Sequence, residues 1–164
     1  MAESCKPRTK GQREGPPGTA VAGHTPSAPA HDDRPLKLLE RTPVPPEHKE
    51  RLFALVRRAQ AAADAAGAEL QAEFGREHVG LIVGCNQFVR LDREGPLVGK
   101  VEFLLDEAGK DALRQAGFTL GEHPSYLFRM FGWVVVDPLQ GDFAALERAV
   151  DAAFRKAQAA AKRP

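Results

Sequence analysis

Apolar positions change their period several times along this chain, and the changes mark its elements. Leu52, Leu55, Val56, Ala59, Ala63, Ala66, Leu70 and Phe74 recur at steps of three and four, the stripe of an amphipathic helix. Pro45 and Pro46 suit its first turn, and Glu47 and Glu50 lie near the positive end of its dipole. The spacing predicts a helix from there to about Phe74, stopped by Gly75, with Gly67 a point where it could divide. From His78 the period shortens. Val79-Gly80-Leu81-Ile82-Val83 and Phe88-Val89-Arg90-Leu91 predict two strands, and Arg93-Glu94-Gly95-Pro96 is a turn. Beyond it Val101, Phe103 and Leu105 share one face while Lys100 and Glu102 take the other, so residues 88 to 92 and 97 to 105 form a hairpin.

Asp106 can cap a short helix carrying Ala108, Ala112, Leu113 and Ala116 and ended by Gly117. Phe118 to Phe131 reads as a loop or irregular arm, and Trp133-Val134-Val135-Val136 as a β-branched strand. A last helix, capped by Asp142, steps through Phe143, Leu146, Val150, Ala153, Phe154 and Ala157. The order is α-β-β-β-α-β-α. Hairpins imply an antiparallel sheet, here of about four strands with helices on one face, and the fold class is α+β.

The first 46 residues follow no such pattern. They hold nine of the thirteen prolines, and no aromatic residue or periodic apolar face occurs before Leu36. Such a segment buries too little surface to offset its ordering entropy. It is expected to be a disordered tail, with residues 47–164 as the single compact domain. The tail carries seven basic and five acidic residues of a chain whose net charge is +1, which leaves −1 for the domain. A near-neutral domain lacks the basic footprint of nucleic-acid binding, although Lys6, Arg8, Lys10 and Arg13 in the tail could touch phosphate or an acidic partner. No apolar run approaches the ~20 residues of a membrane span, and the cytoplasm is the default location.

Chemistry-bearing residues are sparse. Cys5 and Cys85 form no CxxC and no disulfide framework, and Cys85 reads as a packed, inert thiol at a strand end, which argues against a His78/Cys85 nucleophile. The five histidines make no HxH or HExxH, so no metal is expected, and neither phosphate-binding glycine loops nor a nucleophile elbow occurs, so no cofactor is assigned. What stands out is the arm. Phe118, Tyr126, Phe128, Phe131 and Trp133 are five of the eleven aromatic residues, and His123, Arg129 and Glu122 accompany them.

Glu94-Gly95-Pro96-Leu97 with the strand to Leu105, Asp111-Ala112-Leu113 before Gly117, His123, Gly132-Trp133-Val134 and Phe154 resemble, by spacing over residues 88 to 156, a family of small bacterial α+β domains that carries a luciferase-type label. Leu91, Asp92 and Arg93 stand where that family has an upstream histidine. The element order also resembles the MmcQ/YjbR-like domains, a likeness that implies possible DNA association, which the neutral domain charge opposes. Neither likeness implies a reaction.

The expectation is a non-catalytic binding or regulatory module that recognises a protein partner or small ligand through the arm, with Tyr126, Phe128, Arg129 and Trp133 as contacts. The alternatives are a small enzyme with His123 as general base beside Arg129, and nucleic-acid association through the tail.

Overall fold

The computed structural model describes residues 31–162, so residues 1–30 of the expected tail, with Lys6, Arg8, Lys10 and Arg13, lie outside the described residues. The compact unit begins at Asp32, some fifteen residues before the expected boundary at 47. The reason is a short helix, α1 (Arg34–Glu40), begun by Pro35 in its first turn. Its Leu39 is completely buried, and Leu36 and Leu38 pack against the same core. Three leucines in four positions provide the apolar surface that the rest of the Pro-rich segment lacks.

Helix α2 (Pro46–Ala65) starts where its prolines and Glu47 place it and buries Leu52, Leu55, Val56, Ala59 and Ala63. It stops at Ala65 rather than near Phe74. Gly67, with φ +59°, turns the chain in a conformation other residues rarely adopt, and residues 70–74 become a strand. The sheet accordingly has six strands instead of about four: β1 (Leu70–Phe74), β2 (His78–Val83), β3 (Asn86–Asp92), β4 (Val101–Leu104), β5 (Gly121–Glu122) and β6 (Trp133–Val136). Between them lie α3 (Glu107–Gln115) and α4 (Tyr126–Met130), with α5 (Phe143–Ala161) last. Sheet order is β1-β2-β3-β4-β6-β5, and every pairing is antiparallel. The α+β class and the hairpin of β3 with β4 stand as expected. So do the caps: Gly109 N donates to Asp106 Oδ1 at 2.8 Å, and Ala144 N to Asp142 Oδ1 at 3.2 Å.

Period-two alternation gives the sheet two faces. Val79, Leu81, Val89, Leu91, Val101, Phe103, Val134 and Val136 join Leu52, Leu55, Leu146, Val150 and Phe154 of α2 and α5 in one core. An edge-to-face pair of Phe88 and Phe154, with centroids 5.5 Å apart, locks α5 to the sheet. Cys85 is neither in a strand nor packed. It is exposed, the second residue of the Gly84-Cys85 turn between β2 and β3, which corrects the packed-thiol reading. A two-residue hairpin turn faces solvent, so the apolar strand before it gives its last residue no burial.

Candidate functional site

The second face of the sheet carries charged residues at β3 and β4 that are shielded from water, whereas Gln71 and Glu73 at its β1 edge are exposed. Arg90 and Glu102 are directly opposed across β3 and β4, and Asp92 stands two residues from Arg90 on the same face, opposite His78 of β2. Glu102 has no exposed surface. Its Oε1 lies 3.3 Å from Arg90 Nε and its Oε2 3.0 Å from His123 Nε2. Neither carboxylate oxygen nor Arg90 Nε makes an aligned hydrogen bond among the described residues, so the group is held by charge more than by geometry.

The cover is the arm. After β5 the chain turns at His123-Pro124-Ser125 and forms α4, whose inward residue is Phe128. The His123 ring stacks on Phe128 with centroids 4.3 Å apart and planes at 16°. Arg90's guanidinium lies 5.0 Å from the centre of the same ring, and Trp133 meets it at 5.6 Å. A cation over an aromatic face is attracted by the ring's quadrupole, the more so out of water. Gly132 returns the chain to the sheet at φ +93°, where a Cβ would come within 2.6 Å of Leu105 O. Only glycine fits there.

Burial first, and then the charge of Glu102, pushes the Asp92 carboxyl up to about 8, with Glu77 adding to the rise and Arg90 opposing it. A like charge nearby disfavours ionisation of a carboxyl group. Burial, followed by the charge of Arg90, lowers His78.

The residues expected to form the site separate into two sets. His123, Phe128 and Trp133 face the sheet, and Trp133 is buried at 7% exposure. Tyr126 and Arg129 face outward, the guanidinium 5.7 Å from the tyrosine ring. Arg129 Nη1 donates to the carbonyls of His123 at 3.0 Å and Pro124 at 3.2 Å and so braces the turn. His123 Nδ1 accepts the backbone N–H of Ser125 at 2.9 Å. That bond puts the ring proton on Nε2, aimed at Glu102. Nδ1 is therefore engaged, while Nε2 lies near Glu102 without an aligned hydrogen bond.

Three features were not foreseen from the sequence: Glu102, Arg90 and Asp92 as a buried charged row; α4 itself; and the exposure of that helix. Tyr126, Leu127, Met130 and Phe131 are 64, 61, 65 and 67% exposed. Beside them a groove of about 420 Å³ is lined by Leu104, Phe128, Phe131 and Trp133, with Asn86 and Lys156 among its polar residues. Among the described residues no group of three or more His, Cys, Asp or Glu side chains is placed to hold a metal ion, and no helix is long and apolar enough to cross a membrane.

Fold and site together define an antiparallel α+β domain with a covered charged row under an apolar surface helix. No protein-family model matches the chain, and no curated protein sequence matches it significantly.

Proposed function

We propose that this chain is a non-catalytic recognition module that binds a protein segment through α4 and the groove beside it. The observation that carries this reading is the outward display of Tyr126, Leu127, Met130 and Phe131 on five-residue α4 and the residue after it. A helix so short has no stability of its own. It persists because Phe128 is held between His123, Arg90 and Trp133, so the charged row works as a foundation that presents four large apolar side chains to solvent. Adjacent exposed apolar residues of this size are unusual on a soluble domain unless something covers them, and Tyr, Arg and Phe are residue types favoured at interface centres.

The catalytic alternative finds less support. A general base needs a free lone pair within reach of a substrate, whereas the Nδ1 lone pair of His123 accepts from Ser125 N and the ring is buried. Its neighbour Arg129 spends Nη1 on main-chain carbonyls.

The test is a displayed random-peptide library panned against the full chain. Wild type should enrich a family of related peptides, and a Tyr126→Ser/Phe131→Ser double variant with unchanged thermal midpoint should enrich none of them. Equal enrichment by the two proteins would sink the reading.

A further inference from the structure

We infer that the segment this surface receives carries a carboxylate next to its apolar anchor, and that Lys156 is the residue that reads it. This inference rests on the recognition-module reading above and adds the chemistry of the partner. Lys156 projects from α5 into the groove, where its Nζ donates one hydrogen bond, to Leu105 O at 3.0 Å. No carboxylate lies within ion-pairing distance of it among the described residues, in contrast to Lys100, which pairs with Asp137 at 2.8 Å, and Lys110, which pairs with Glu107 at 2.7 Å. On the groove side it meets rings and alanines; burial, the largest effect, lowers its pKa, and the charges of Asp106 and Glu107, which lie beyond ion-pairing distance, oppose that lowering. A partly desolvated ammonium with two N–H donors uncommitted is costly to leave alone and gains from an anion placed beside it.

Two other polar residues of the lining are already in use: Asn86 Nδ2 donates to Ala157 O at 3.1 Å and Gln87 Nε2 to Glu73 Oε2 at 3.4 Å. Among the residues lining the groove Lys156 is the one that carries a charge. Arg155, exposed on the same helix, adds positive charge near this end of α5. This charge pattern also chooses among occupants. A second copy docked symmetrically would bring its own Lys156 and Arg155 to a like surface, and like charges juxtaposed across an interface disfavour association. The groove is open and continuous through Phe131 with the exposed row on α4, a shape suited to an extended or helical peptide lying across it.

The peptides enriched by the wild-type chain decide the matter. They should share an aromatic or aliphatic anchor with Asp or Glu within about four residues of it, one helical turn. For one such peptide and its Asp→Asn or Glu→Gln partner, affinities are measured by isothermal titration against wild type, Lys156→Gln and Lys156→Arg. Lys156→Gln should weaken the acidic peptide roughly 5-fold, the scale of a partly screened ion pair, and leave the amide peptide unchanged, while Lys156→Arg keeps most of the affinity. Enriched peptides without acidic residues, or equal losses for both peptides, would overturn the inference and leave the recognition reading standing. An absence of enrichment removes both. Concentration-dependent dimerisation abolished by Phe131→Ser, or displacement of the peptide by a fluorescent fatty acid, assigns the groove to another occupant and also overturns it.

Discussion

Replacing Asp92 by asparagine keeps the shape of the protonated side chain and removes its ability to ionise. The folded chain holds this proton up to about pH 8, while an unfolded chain gives it up near the ordinary value of 3.8. Between those limits the native state binds the extra proton, so stability falls as pH rises, and the loss is complete once pH passes the folded value. About four pH units at about 1.4 kcal/mol each set a ceiling of about 6 kcal/mol. Part of the shift comes from the charge of Glu102, and Arg90 opposes it, so substitution of Asp92 alone should recover about half of that, ~2–3 kcal/mol at pH 8.5. At pH 5.5, where the wild-type group is protonated when folded, the gain should shrink to about 1 kcal/mol. The assay is urea unfolding of both proteins at the two pH values, with equal m-values required for the comparison. A stability difference that stays the same within about 0.5 kcal/mol at both pH values would refute the buried-proton argument.

Three further outcomes follow from packing and capping. Trp133→Ala should cost about 3–5 kcal/mol in chemical denaturation, because the ring is buried against Phe128; a loss below about 1 kcal/mol would mean that the arm lifts off and closes the gap. Leu39→Ala should cost about 2–4 kcal/mol although it lies in the Pro-rich region, and a truncation starting at residue 47 should show a lower thermal midpoint than one starting at 31. Asp106→Ala removes the cap bond to Gly109 N and should cost about 1 kcal/mol, read by denaturant midpoint.

Where local periodicity decided the structure, the sequence was enough. The α5 stripe and its Asp142 cap, the Asp106 cap, and the alternation of Val101 and Phe103 all appear as read. Strand β1 escaped because Leu70 and Phe74 fit a helical step from the Ala-rich run as well as they fit a period of two; the polar Gln71 and Glu73 between Leu70, Ala72 and Phe74 were the signal, visible once Gly67 is taken as a stop. The charged row escaped for a different reason. Alternation correctly puts Glu102 on the face away from the core, and a face away from the core is ordinarily wet. That it is dry depends on an arm arriving from more than twenty residues later, a tertiary fact. Opposite charges at the centres of two paired apolar strands, Arg90 and Glu102, were the available hint. Of the expected contacts, Tyr126 and Arg129 are at the surface and Phe128 and Trp133 support it; aromatic clustering alone does not distinguish the two roles.

Gly121 pairs with Val135 and Glu122 with Val134, so the chain leaves the sheet after residue 122 and rejoins it on adjacent rungs of the same ladder. The helix α4 thus rides on an excursion whose feet are clamped together by main chain. Exchanging residues 124–127 and 129–131 for others, or lengthening the excursion, alters no rung, and doubling its length costs only about 0.6 kcal/mol in closure entropy. The fold is in this respect a framework with one variable insert: binding preference can diverge while the sheet stays constant, provided an aromatic ring is kept where Phe128 lies over Arg90.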